Sequence, residues 1–411
     1  MGQVKRLTIR EVNVKAIDNS APYLPPTRTV ELKTSNGNIV TPVRASTSYE
    51  FKKKAQVPTD IPIDTEISIN VQKLNYKNLQ NLLTTNGYLE NLSRKIDLNN
   101  RLEQYSKLRV SLLQPTSSET RDPKSKNVIY PSGMTLLQNN PTELIKFIRI
   151  VISAQHLMGL DLITIPFLDQ PLEAMKTMIL NVEKTVEKID RQPFFVIDLK
   201  YPGFSQIIEL LVKNLQQKII GLIFRDYLKC VQSYEALSKY VDHDVAFFSL
   251  QVDRFDLDHD NLSTMHYLPF LGNDIYSVVT PGPFIPSPSN KDSSDTRVSG
   301  VHSLRNIRLF DKWSLQVNEI RSYEHLDEKI SSEYKEDDII RVMLNNFAEA
   351  ETDARKYGML NAFSRVDELK SSLSEFNNLQ RYIKQESTKD YLEEKETLQK
   401  ALRPMSHARS A

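Results

Sequence analysis

Charged side chains recur just beyond apolar runs through the middle of this chain. Asp198 and Lys200 end the run PFFVIDL, Arg225 and Asp226 follow Ile219–Phe224, and Asp253 and Arg254 follow Val245–Val252. If those runs are parallel strands, the charges share one rim, where neighbouring carboxylates and cations shift one another's pKa and an acid or base can be poised. Two readings stand: a working site, or ordinary rim ion pairs of little energetic weight. Thiol chemistry has one candidate, Cys230, and a single cysteine excludes an internal disulfide and any multi-cysteine zinc or iron–sulfur site.

The elements that must position these groups follow from periodicity. Residues 1 to about 25 read as a strand, closed by Pro22, Pro25 and Pro26. A hairpin over Arg28–Thr47 is expected to turn at Asn36-Gly37, with Val30, Leu32 and Thr34 on one arm and Ile39, Val40 and Val43 on the other. Strands are predicted at Ile67–Val71, Leu108–Leu113, Leu162–Leu168, Pro193–Leu199, Ile219–Phe224, Val245–Val252 and Met265–Leu271. Helices are predicted at Tyr76–Leu92, Pro141–Ile152, Glu173–Ile189, Phe204–Gln216 and Ser233–Tyr240. Strands alternating with helices of this length specify a parallel sheet, and their number specifies closure into a barrel. Gln114–Asn127 reads as a polar loop and Pro281–Ser299 as a linker. From Asp367 a charged helix carries Leu369, Leu373, Phe376, Leu379 and Ile383 as an apolar stripe, to pack on the barrel or pair with another subunit.

With 53 basic and 52 acidic residues among 411, net charge steers nothing toward nucleic acid, so any such contact must be local. Lys52–Lys54 offer a phosphate contact or a solvated loop. No run approaches the roughly 18 apolar residues of a membrane helix. The sequence at Gly2–Arg6 suits neither a signal core nor myristoylation, so the expectation is a cytoplasmic protein without membrane contact.

Five segments in shared order carry a resemblance. Arg28 followed by Leu32-x-Thr34-x-x-Gly37-x-Ile39-x-Thr41-Pro42-Val43, the Ser132-Gly133 turn, Leu168-Asp169-Gln170-Pro171, Asn273-Asp-Ile-Tyr-Ser-Val-Val-Thr-Pro281 and the helix Leu344–Phe363 together resemble the tRNA-guanine transglycosylase family. The resemblance implies a TIM (β/α)8 barrel with an N-terminal β-hairpin extension and a helical C-terminal subdomain, divided as 1–285, a linker 286–303, and 304–411.

It also implies that Asp169 stands where the family binds the guanine edge, a carboxylate accepting two N–H donors. The competing reading is an Asp capping the helix before Pro171. Pro131 replaces one family Asp and Ser277 the nucleophilic one, while Asp274 survives by position. Phe224, Arg225 and Asp226 fill the place of a Gly-rich turn. A serine needs an activating base; His266 is a candidate, but a hydrogen-bonded structural histidine is the expectation. Asp311, Trp313, Gln316 and Asn345 replace the zinc ligands, so no metal and no cofactor are expected, with Trp313 filling the vacated volume as core. The implied function is a transglycosylase-like protein without base exchange. Its implied partners are tRNA or another nucleic acid, a catalytic transglycosylase subunit, or a second copy. The alternative is an enzyme of altered chemistry on a 7-deazaguanine or other nucleobase, using Asp169, Asp198, Lys200, Arg225, Asp226 and Asp253 at the rim.

Overall fold

The computed structural model describes residues 9–21, 24–47, 66–85, 106–121, 129–160, 162–253, 256, 261–278, 308–319, 328–329, 332–333, 353–385 and 387–407. Lys52–Lys54, Arg254, the linker 286–303 and Asn345 lie outside the described residues, as does the 344–352 part of Leu344–Phe363.

Strand β1 (Ile9–Asp18) pairs antiparallel with β2 (Thr27–Thr34), which turns into β3 (Gly37–Val40). The hairpin turns at Ser35-Asn36, one residue earlier than expected, because Thr34 pairs with Gly37. Gly37 opens β3 at φ 128°, a conformation glycine adopts without a Cβ clash. Val43 is not on this hairpin. It begins β4 (Val43–Thr47), the first barrel strand.

The barrel then runs in chain order through β5 (Ile67–Leu74), α1 (Tyr76–Thr84) and β6 (Leu108–Pro115). The short pair β7 (Thr120–Arg121) and β8 (Ile129–Tyr130) leads into α2 (Gly133–Gln138), α3 (Pro141–Leu157) and β9 (Leu162–Ile165). Next come α4 (Leu172–Lys188), β10 (Gln192–Asp198), α5 (Phe204–Glu209, extended by a π turn over Leu210–Asn214), β11 (Ile219–Ile223), α6 (Val231–Ser238), β12 (Ala246–Val252) and β13 (Ile275–Val278). Eight parallel strands hydrogen-bond in the order β6-β5-β4-β13-β12-β11-β10-β9. The two end strands, β6 and β9, lie side by side, and Gln114 Nε2 donates across them to Phe167 O at 3.1 Å. The sheet is thus a nearly closed, TIM-like barrel, with the last strand beside the first. Runs such as LITI and IIGLI are buried at every position because both faces are covered. Helix α4 shows the complementary pattern, burying Met175, Ile179, Val182 and Val186 along one stripe.

Met265–Leu271 is not a strand. Thr264–His266 and Leu268–Leu271 form two 3₁₀ turns, the second containing Pro269 and ended by Gly272 at φ 81°. Pro269 has no N–H for a ladder, and a run buried throughout gives no periodicity to separate turn from strand.

Beyond the barrel, β14 (Arg308–Asp311) and β15 (Gln316–Glu319) form an antiparallel hairpin, followed by α7 (Asp353–Lys384), α8 (Thr388–Glu394) and α9 (Glu396–His407). Helix α7 lies against β1, β2, β4 and β14. Its stripe residues Leu369, Phe376, Leu379 and Ile383 are buried there, and Gln380 Nε2 donates to Val40 O (2.9 Å) and Pro42 O (3.0 Å). The stripe is therefore occupied by this chain's own barrel. Trp313 does not fill a core: on the β14–β15 turn it is 73% exposed, because Asp311 accepts from Trp313 N–H and Ser314 Oγ and the tight turn leaves the indole outside.

Candidate functional site

A cleft of about 460 Å³ opens at the C-terminal ends of the barrel strands, lined in part by Lys73, Gln114, Phe167, Asp169, Asp198 and Arg225. A second cleft of about 640 Å³, over Gln170, Tyr201 and Gln206, adjoins it. Asp169 and Gln138 line both.

Asp169 follows β9 in an exposed position. It does not cap α4: Pro171 holds the cap position, and no side chain caps that end. Gln138 fixes it instead, donating to Asp169 O and Oδ2 at 3.1 Å each, and Oδ1 has no protein partner among the described residues. The donor is placed by α2. Ser132 starts that helix by accepting Thr135 N–H at 3.1 Å, and Gly133 packs so close that an added Cβ would meet Leu74 O at 2.5 Å. Pro131, exposed one residue before this cap, brings neither carboxylate nor N–H. Behind Asp169, Tyr201 donates to Gln170 O at 2.9 Å; burial, and then the Asp169 carboxylate, push the phenol's pKa up.

Asp198 is committed. Arg225 grips it through Nε (3.1 Å) and Nη2 (2.5 Å), and Lys200 N–H donates to it at 2.9 Å. A bidentate pair of this kind neutralises the cleft wall and leaves no free base there. Asp226 caps the short turn after β11, accepting Leu228 N–H at 2.9 Å. Lys200 and Asp253 are exposed. Of the six rim candidates, Asp169, Asp198 and Arg225 converge on the mouth cleft, while Lys200, Asp226 and Asp253 are not among its walls. Cys230 is buried behind this rim, its thiol pKa raised by burial and then by Asp198.

Ser277 is 1% exposed on β13 and outside the cleft walls; its Oγ accepts Gln251 N–H at 3.4 Å. No carboxylate bonds to it among the described residues. His266 is no activating base and, contrary to expectation, is not hydrogen-bonded. Its ring stacks on Phe376 (4.7 Å) and lies 5.3 Å from Phe310, with both nitrogens unpartnered among the described residues. Burial, with help from Lys395 and Arg44, holds its pKa down at about 3, so it is a neutral filler between α7 and the barrel. Asp274 sits at the opposite end of the barrel, before β13. Arg28 Nε (3.1 Å) and Nη2 (2.7 Å) clamp it, and it accepts Phe247 N–H at 2.8 Å.

Sequence reasoning missed Lys73, Gln114, Gln138 and Gln251. Gln114 stands at the end of a strand as Asp198 does, so the same end-of-strand logic finds it. Gln251 does not announce itself, because it lies inside the apolar run; it reaches the mouth at a register shift in β12, at φ 58°. Among the described residues no group of three or more His, Cys, Asp or Glu side chains is placed to hold a metal ion, and no described helix is long and apolar enough to cross a membrane. No protein-family model matches the sequence, and no curated protein matches it.

Proposed function

We propose that the barrel mouth binds a guanine-type base, or its 7-deaza analogue, carried by tRNA or another nucleic acid. In this reading the chain is a transglycosylase-like binding subunit without base exchange, and a catalytic transglycosylase partner performs the chemistry. One contrast supports it: Asp169 stands at the mouth, fixed by Gln138 with an oxygen open, whereas Ser277, at the position of the family's nucleophile, is buried and outside the cleft walls. A carboxylate with an open edge accepts the paired N–H donors of a guanine edge, and Phe167 supplies an apolar wall for a ring. Attack on a ribose carbon needs a carboxylate or an activated hydroxyl at the reacting atom. Ser277 is 1% exposed and has no base bonded to it among the described residues.

Two assays test the reading together. Guanine raises the melting temperature of the wild-type protein and not of Asp169→Asn, and the protein alone fails to incorporate labelled guanine into tRNA. Incorporation by the purified chain that Ser277→Ala abolishes would refute it.

A further inference from the structure

We infer that Gln114 is a specificity-determining residue of the mouth, a fixed acceptor for one ligand N–H. The inference rests on the base-binding reading and adds a second recognition point to it.

Gln114 is 7% exposed and lines the cleft. Its Nε2 donates to two backbone carbonyls, Pro115 O at 3.2 Å and Phe167 O at 3.1 Å, while its Oε1 is buried with no partner among the described residues. The amide orientation follows from those carbonyls: flipping it would set Oε1 against two acceptors and leave the NH₂ with none. A buried acceptor without a donor is costly, so the site favours a molecule that supplies one. The anchor also ties Gln114 to the segment that ends in Asp169, two residues beyond Phe167. The cleft is thus lined by two acceptor-bearing side chains, Asp169 charged and Gln114 neutral, beside the Phe167 ring. That pairing selects a planar heterocycle rich in N–H donors over one rich in acceptors.

Four bases, titrated by calorimetry on wild type and Gln114→Met, test this. Guanine carries every donor. Hypoxanthine lacks the 2-amino group, 7-deazaguanine carries its five-ring N–H only at position 9, and 9-deazaguanine only at position 7. Loss of one hydrogen bond in a buried site weakens guanine by about tenfold in Gln114→Met. Since Asp169 takes the paired donors of the guanine edge, N1–H and the 2-amino group, the N–H left for Gln114 is that of the five-membered ring, and the one deaza analogue that lacks it at the accepted position loses nothing. Wild type discriminates against that same analogue by about tenfold, a comparison that stands even if the variant does not fold. Equal wild-type affinity for all four bases overturns the inference, as does an equal loss, or no loss, on all four in the variant. If guanine still depends on Asp169 in that case, the base-binding reading survives. If none of the four binds wild type, both fall.

Discussion

Arg28→Met removes one end of a clamp that joins the N-terminal hairpin to the base of the barrel. The Arg28 side chain is 2% exposed and that of Asp274 is 1%. Beyond its two bonds to Asp274, the guanidinium donates to the carbonyls of Tyr240 (3.0 Å), Val241 (2.8 Å), His243 (3.2 Å) and Val245 (2.8 Å). In Arg28→Met the Asp274 carboxylate keeps only the Phe247 N–H, and breaking a buried pair from one side costs about 3–5 kcal/mol. Asp274→Asn costs less, about 2 kcal/mol, because the four carbonyls still compensate the guanidinium. The double variant Arg28→Met/Asp274→Asn leaves no unpaired charge, so its loss falls short of the summed singles by at least about 2 kcal/mol. Urea unfolding of the four proteins measures the cycle. Additivity, or a loss below about 1 kcal/mol in Arg28→Met, would refute the claim that this pair fastens the fold. Guanine affinity, measured in parallel on Asp274→Asn, stays at the wild-type value because the pair lies at the end of the barrel opposite the mouth.

His266 is neutral in the fold, with a pKa near 3 against 6.5 ordinarily, so its contribution is present above pH 6.5 and is lost as pH falls toward 3. Between pH 7 and 5 the loss is about 2 kcal/mol, and His266→Phe, which keeps the stacking, removes that part of the acid sensitivity in urea unfolding at the two pH values. Glu183 works in the other direction: burial raises its pKa to about 7 despite the Gln217 Nε2 bond at 2.8 Å. Stability therefore declines from pH 4.5 to 7, and Glu183→Gln stabilises the protein at pH 8 by about 1 kcal/mol after allowance for its half exposure. Gly133→Ala forces α2 off Leu74 O, lowering the melting temperature and loosening the Gln138 grip on Asp169, so guanine binding falls with it; unchanged binding would separate the two.

The barrel was legible because its strands and helices keep the lengths and alternation of a parallel α/β unit, and two-sided burial writes continuous apolar runs. The same burial hid the error at Met265–Leu271. Trp313 departs from expectation for a different reason: Asp311 closes the β14–β15 turn through its own hydrogen bonds, and the turn needs no filler. Arg28 and Asp274 were visible as sequence features, but their partnership spans 246 residues and no local pattern announces it. The mouth was half legible. Charges at strand ends point to it, while the amides that orient Asp169 depend on Ser132 capping α2 and on the absent Cβ of Gly133.

Where this chain places its buried charge bears on what the mouth does. Helix α7 is seated by Arg44 and Glu368 (3.9 Å), Lys395 and Glu375 (3.2 Å), and Lys329 and Asp367 (3.4 Å), with Asp367 also accepting Phe310 N–H at 2.9 Å. Each pairing joins groups that cost heavily if left alone in the interior, so a slipped helix exposes several penalties at once and the register of α7 on the barrel is narrow. The hairpin β14–β15 is fastened by the same device, since Lys329 Nζ donates to Phe310 O at 2.6 Å. At the mouth the pattern reverses: Asp198 is neutralised by Arg225, Asp169 is pinned with an oxygen open, and Gln114 is immobilised with its acceptor unmet. Rigid, partly unsatisfied groups at a barrel mouth suit recognition, because orientation is settled before a ligand arrives.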